Sequence, residues 1–225
     1  MIDFDRNIIF THPKKCGGTT IEAAFGWKNR DFQTKMMGLL SKSPDRHLKK
    51  YAKRVSALYG LTKHAGMATH VYIAEKFRRG SSDEFFKFTC VRNPWDAAVS
   101  LFFFMKYNRF MSFEDFINSH YAHYLGKPHY LSYLLEPHYG FLDVEKFLFV
   151  GPQYTMDYII RYETYADDCA WIYNTFDIRP PKKAKHAYSR PAYSKDYKVM
   201  YKRDDIIEQV AQLAESSIRL FGYTF

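Results

Sequence analysis

The segment Asn7-Ile8-Ile9-Phe10-Thr11-His12-Pro13-Lys14-Lys15-Cys16-Gly17-Gly18-Thr19-Thr20-Ile21-Glu22 restricts the fold of this chain more than any other. It opens with a short apolar run rich in β-branched and aromatic residues, the pattern of a buried strand. Pro13 and the Gly17-Gly18 pair break that run. Thr19-Thr20 then leads into Ile21, Ala23, Ala24 and Phe25, spaced as on a helix. The order is strand, tight loop, helix. Gly17 and Gly18 let the backbone turn with its N–H groups converging, and such a nest at a helix start holds an anion. Lys14 and Lys15 add positive charge, and Thr19 and Thr20 add hydroxyl donors. The expectation is a phosphate-binding loop formed by Lys14, Lys15, Cys16, Gly17, Gly18, Thr19 and Thr20. The competing reading is a plain βα turn that binds nothing.

The loop differs from that of nucleoside triphosphatases, whose lysine follows the glycines; here the lysines precede them. A second strand-to-helix junction lies further on. Phe85-Phe86-Lys87-Phe88-Thr89-Cys90-Val91 is the strongest strand in the sequence, and it stops at Arg92-Asn93-Pro94. Pro94 at a first helical position starts a helix through Ala97, Ala98, Leu101, Phe102 and Met105. Arg92 carries a planar fork able to grip a phosphate by two bonds. Ser100 lies about 9 Å along that helix from its start, at 1.5 Å per residue.

Elsewhere the pattern predicts helices over Ala68 to Arg79, after the capping signal Ser112-Phe113-Glu114-Asp115, over Tyr165 to Phe176, and from a capping Asp204 through Leu220 to Gly222. Leu58 to His64, Lys146 to Val150 and Tyr158 to Tyr162 read as strands. Lys28 to Arg54 is polar and basic, either a solvated helix pair or a lid facing a substrate. Strands alternating with helices argue for an α/β domain around a mostly parallel sheet. Ligands in such sheets sit at the carboxyl ends of the strands. The anion loop and Arg92 are both at such ends, so they can face one ligand.

A chain of 225 residues suits a single domain, residues 1–225. The net charge of +9 suits an anionic partner, namely a nucleotide, an acidic glycan or nucleic acid, or else only a basic surface. Three widely separated cysteines, Cys16, Cys90 and Cys169, imply neither a disulfide framework nor a metal site. No apolar run reaches the roughly 20 residues of a membrane span. The N-terminal residues do not read as a signal peptide. A cytoplasmic protein of a bacterium or virus, without stable membrane insertion, is the expectation.

The two junctions together resemble the cofactor motifs of sulfotransferases that use 3′-phosphoadenosine 5′-phosphosulfate (PAPS). The first is similar to the H-x-P-K-(T/C)-(A/G)-G-T-(T/S) loop of carbohydrate sulfotransferases. Aligning on Gly18-Thr19-Thr20 puts the family lysine at Lys15, with the proline one place early at Pro13. The second, Val91-Arg92-Asn93-Pro94-Trp95-Asp96-Ala97-Ala98-Val99-Ser100, resembles the 3′-phosphate site. Ile159-Ile160-Arg161-Tyr162-Glu163, Ser189-Arg190 and Phe221-Gly222-Tyr223 extend the likeness more weakly. The chain is thus identified as a small member of the heparan sulfate 2-O-sulfotransferase-like group.

The resemblance implies a P-loop-like three-layer α/β domain, with a central, mostly parallel sheet flanked by helices. It implies PAPS as donor, a hydroxyl of a carbohydrate or glycan as acceptor, and no metal. It places Arg92 and Ser100 at the 3′-phosphate; Arg190 lies in the basic loop Lys185 to Pro191, which either closes over the donor or is solvated. Transfer in line through a loose transition state would put charge on the bridging oxygen, where Lys15 would neutralise it. His64 is the leading candidate for the base, with His70 and Glu22 behind it. Arg161, Glu163 and Tyr193 are weaker site candidates, and Trp27 or Trp95 could stack on adenine. Two other functions remain open on the residues: an ATP-dependent phosphotransferase, and a non-catalytic basic module for acidic glycan or nucleic acid.

Overall fold

Alternation along the strands sorts the side chains to two faces of one sheet. Ile8, Phe10, Phe88, Cys90 and Ile160 pack on one side, and Ile2 and Ile9 on the other. The structure, a computed structural model, describes residues 1–27, 66–78, 81–126, 142–180 and 196–225. The sheet is built from β1 (Ile2–Asp3), β2 (Ile8–Thr11), β3 (Phe86–Val91) and β6 (Tyr158–Arg161), in the order β1-β2-β3-β6. Strands β2, β3 and β6 run parallel; β1 lies antiparallel on the β2 edge. Phe10 sits beside Phe88, Thr11 beside Thr89, and Cys90 beside Ile160. This is a mixed α/β fold around a mostly parallel sheet, as the alternation of elements implies.

Helix α1 (Gly18–Ala24) and helix α6 (Tyr165–Thr175) cover the first face, through Ile21 and, just beyond α1, Phe25, and through Cys169, Ile172 and Tyr173. Helix α2 (Met67–Arg78) covers the second face with Met67, Ile73 and Ala74. Helices α3 (Pro94–Phe104) and α4 (Phe113–Tyr124) pack with α7 (Asp204–Leu213) in a third cluster. It is filled by Leu101, Phe102, Phe116, Ile117, Ile206 and Val210. Phe10, Phe88 and Phe116 are fully buried, each contributing about 1.5–3 kcal/mol of apolar burial. Ser112 caps α4 by accepting from the Asp115 amide, and Asn93 caps α3 by accepting from Trp95 and Asp96.

Two expectations change. Lys146 to Val150 is not one strand: α5 (Glu145–Leu148) is a helical turn, and only β4 (Phe149–Val150) is extended. Strand β4 pairs antiparallel with β5 (Gln153–Tyr154), outside the main sheet. The C-terminal helix is also broken. Ala214, at φ −115° and ψ 20°, separates α7 from α8 (Glu215–Phe221), and the N-cap of α7 is Arg203, not Asp204. Leu58 to His64 and the basic segment Lys28 to Arg54 lie outside the described residues. No helix among the described residues is long and apolar enough to cross a membrane.

Candidate functional site

Hydroxyls fix the ends of the central strands. Thr89 Oγ1 donates to the Thr11 carbonyl, and Thr11 Oγ1 donates to the Phe147 carbonyl, each at 3.0 Å. From that anchored end the chain enters the first loop. His12 is buried, stacked on Phe10, with Nδ1 3.1 Å from Glu22 Oε1. Its ring lies directly against Gly18, where an added Cβ would stand 2.3 Å from His12 Cδ2. Gly17 has φ 88°, and a Cβ there would stand 2.6 Å from the Tyr165 ring. Tyr165 Oη also donates to the Gly17 carbonyl at 2.8 Å. Both glycines are thus demanded by close approach, and Gly17 by its backbone angle as well.

The loop is more inward-looking than its sequence implies. The Thr20 amide donates to the Gly17 carbonyl at 3.0 Å, and the Gly18 amide hydrogen-bonds towards the buried Cys90 thiol. Thr19 is exposed and Thr20 half-buried. Lys15 itself holds φ 67°, in the left-handed region that non-glycine residues rarely adopt.

The second loop closes on the first. Arg92 is buried, with Nε donating to Asp96 Oδ2 at 2.8 Å and Nη2 2.7 Å from the same oxygen. Its Nη1 donates to the Lys15 carbonyl at 2.8 Å. Its guanidinium stacks on Tyr162, 3.9 Å from the ring centre. The third parallel strand delivers Tyr162 and Glu163 to the same edge. Glu163 accepts from the Asn93 amide at 2.6 Å and from Tyr223 Oη at 3.3 Å. Asn93 Nδ2 donates to the Thr224 carbonyl at 3.0 Å. Arg161 instead faces the C-terminal residues, donating to the Phe221 carbonyl at 3.2 Å.

Helix α3 sets the geometry between the two cations. Asp96, Ser100 and Phe104 recur at i, i+4 and i+8, on one strip of its surface. Asp96 holds Arg92 at one end of the strip. Lys15 Nζ lies 3.8 Å from the centre of the Phe104 ring at the other end. Ser100, half-buried, stands between them.

Burial first, and then the charge of Lys146, pulls Lys14 down to about 8. Burial pushes the Cys16 thiol up to about 12, which removes its thiolate character at neutral pH. Burial also raises the Asp96 carboxyl, although Arg92 beside it acts in the opposite direction.

Several sequence candidates are enclosed in the interior. His70 is buried, with Nε2 2.7 Å from the Met1 amino group, and burial holds it down at about 3. Glu22 is buried against His12. Trp27 is enclosed, donating to Asp3 Oδ2 at 2.9 Å and stacked on Phe25. Trp95 is likewise enclosed, donating to the Ile207 carbonyl at 3.1 Å. His64, Arg190 and Tyr193 lie outside the described residues.

Sequence reasoning quoted Asp96 and Tyr162 within motifs without giving either a contact, and missed Tyr165 and Phe104 as parts of the candidate site. For Asp96 a signal existed, since an acid four residues after Arg92 at a helix start is placed to pair with it. Tyr162 lay inside the quoted Arg161-Tyr162-Glu163 segment, whereas nothing in the sequence joined Tyr165 or Phe104 to the first loop. Comparison of the chain with protein-family models, with curated proteins and with solved structures gives no match.

Proposed function

We propose that this chain is a PAPS-dependent sulfotransferase that moves a sulfuryl group to a hydroxyl of a carbohydrate acceptor. The fold on this reading is a P-loop-like three-layer domain, with α1 and α6 on one face of the sheet and α2 and α3 on the other. The observation that carries the proposal is the junction of the two motif loops at one sheet edge, where Arg92 bonds the Lys15 carbonyl. Two cationic side chains then stand at opposite ends of one helix strip, with the Ser100 hydroxyl between them. That arrangement suits a molecule with two anionic groups lying along α3.

The donor supplies an activated sulfuryl group, whose departure leaves charge on the oxygen that bridged it to the 5′-phosphate. The Lys15 ammonium is the group to take up that charge, held half-buried where water screens it less. The amides around Cys16 and Gly17 and the Thr19 and Thr20 hydroxyls hold the 5′-phosphate. Arg92 holds the 3′-phosphate by exchanging the Lys15 carbonyl for a phosphate oxygen while Asp96 keeps the other edge of the guanidinium. Ser100 adds a hydroxyl donor. His64 is the proposed base and Arg190 the proposed basic loop residue over the donor.

Titration calorimetry with adenosine 3′,5′-bisphosphate, the product left by PAPS, tests the reading. Binding with a Kd of about 1–10 μM without magnesium supports it, corresponding to about 7–8 kcal/mol. Preference for ATP with magnesium would favour a phosphotransferase instead. No binding of either nucleotide would leave a basic module for acidic glycan or nucleic acid. Transfer of label from radiolabelled PAPS across a panel of glycans then identifies the acceptor.

A further inference from the structure

Lys15 and Arg92 have a relation that neither motif predicts. The Arg92 guanidinium is buried and rigidly seated, with Asp96 on one edge and Tyr162 beneath its plane. Nη1 donates to the main chain of Lys15 and not to its side chain, while Nη2, close to Asp96 in charge contact, is buried with no hydrogen-bond partner of its own. At that residue the backbone is in the left-handed region, at φ 67°. A non-glycine residue pays of the order of 1 kcal/mol or more for that conformation, and holds it only where its surroundings impose it. The bond from Arg92 is one such imposition. Arg92 therefore sets the backbone from which the Lys15 ammonium projects along α3.

We propose that Arg92 is a positioning residue for Lys15, so that occupation of the 3′-phosphate site resets the Lys15–Cys16 peptide and with it the lysine that meets the transferred group. The inference rests on the sulfotransferase reading and adds a mechanism of donor selection to it. A 3′-phosphate gripped bidentately takes the unpartnered Nη2 with one oxygen and competes with the Lys15 carbonyl for Nη1 with the other, and charge favours the phosphate. Once the carbonyl is released, the constraint on Lys15 is lifted. A donor lacking the 3′-phosphate leaves the carbonyl bound and Lys15 in its resting pose. Discrimination against that donor then falls on kcat and not on KM alone. Coupling of this kind is a differential interaction of one ligand group with two states of the loop, which is what a ligand-driven change requires.

The chain offers a direct probe, because Lys15-Cys16 is its only Lys-Cys pair. Protein carrying carbonyl-13C lysine and 15N cysteine gives one correlated NMR signal, from that peptide. Adenosine 3′-monophosphate, which has no 5′-phosphate, is titrated into the full chain, with calorimetry run in parallel. The Lys15 carbonyl signal is expected to shift upfield in step with occupancy, as a carbonyl does on losing a hydrogen bond. Adenosine, with the same ring and no phosphate, is expected to leave it in place. In Arg92→Lys, checked for folding by its thermal midpoint, the ligand-dependent shift is expected to vanish. If that variant does not fold, the wild-type titrations decide alone. Should adenosine 3′-monophosphate bind without moving the signal, or adenosine move it equally, the coupling is wrong and the nucleotide site stands. If the wild type binds neither adenosine 3′-monophosphate nor adenosine 3′,5′-bisphosphate, both the coupling and the sulfotransferase reading fall.

Discussion

Arg92 Nη1 donates to the main-chain carbonyl of Lys15 at 2.8 Å, tying together two loops 77 residues apart in sequence. The bond is made to the backbone, so the Lys15 side chain can be removed without breaking it. On the proposed sulfotransferase reading, Lys15→Ala is therefore expected to lower sulfuryl transfer by about 10²–10³-fold, the usual loss of a charge-stabilising group. Binding of adenosine 3′,5′-bisphosphate should stay within about tenfold. Arg92→Ala should weaken both. It also strips Asp96 of its buried cation, at a cost of about 3–5 kcal/mol in urea unfolding. Equal loss of product binding in the two variants would remove the division of labour between these residues.

Gly18 tests the packing of the loop without touching a charge. Gly18→Ala places a methyl group 2.3 Å from His12 Cδ2. The imidazole is held by stacking on Phe10 and by Glu22, so it has little room to turn. The expected destabilisation is about 1–3 kcal/mol, the range for overpacking. An unchanged urea midpoint would show that the ring is not pinned.

All three thiols are buried and free. Burial pushes Cys16 up to about 12 and Cys169 to about 11, and raises Cys90 as well. At pH 8 the folded protein should not react with Ellman's reagent on a scale of minutes, whereas the urea-unfolded chain should release three equivalents. A fast thiol in the folded protein, traced to Cys16, would reinstate a reactive loop cysteine.

Lys14 carries the clearest pH signature. Its folded value is about 8 against an ordinary 10.5, mainly through burial and further through Lys146. Below about 8 the proton is bound in both the folded and unfolded chains; between about 8 and 10.5 the unfolded chain retains it and the folded protein has released it. The Lys14 contribution to stability therefore rises with pH through that window. Reductive methylation with 13C formaldehyde, with the signal assigned by its loss in Lys14→Arg, should reveal Lys14 titrating near 8, and Lys146→Ala should move it upward. A spectrum in which every lysine titrates at its ordinary value would contradict this.

The parts of the fold set by local pattern were legible in the sequence. Strand β3 sets Phe86, Phe88 and Cys90 alternately with Lys87 and Thr89 and stops short of Asn93-Pro94, and α3 starts at Pro94 as its fixed φ favours. Lys146 to Val150 failed because Phe-Leu-Phe-Val fits a helical turn as well as a strand at that length. The break at Ala214 carries no glycine or proline to announce it. Strand β1 is two residues long, too short for alternation to mark it. In the site, the glycines and Arg92 were visible because motifs concentrate them. Their partners Tyr165 and Tyr162 were not, since each is brought in by an element whose position depends on the finished sheet, and Phe104, on the motif's own helix, meets Lys15 only once the two loops are joined. The inward turn of the Gly18 and Thr20 amides was hidden for the same reason.

The spacing along α3 behaves as a ruler. Asp96, Ser100 and Phe104 share a strip only because four residues nearly complete one turn. Swapping side chains elsewhere on that helix alters packing and leaves the strip aligned. Adding or deleting one residue between Asp96 and Phe104 would rotate everything beyond it by about 100° and carry the far end away from Lys15. Descendants of this chain should therefore tolerate exchange at the solvent-facing positions of this helix far more readily than any change in the number of residues between Asp96 and Phe104.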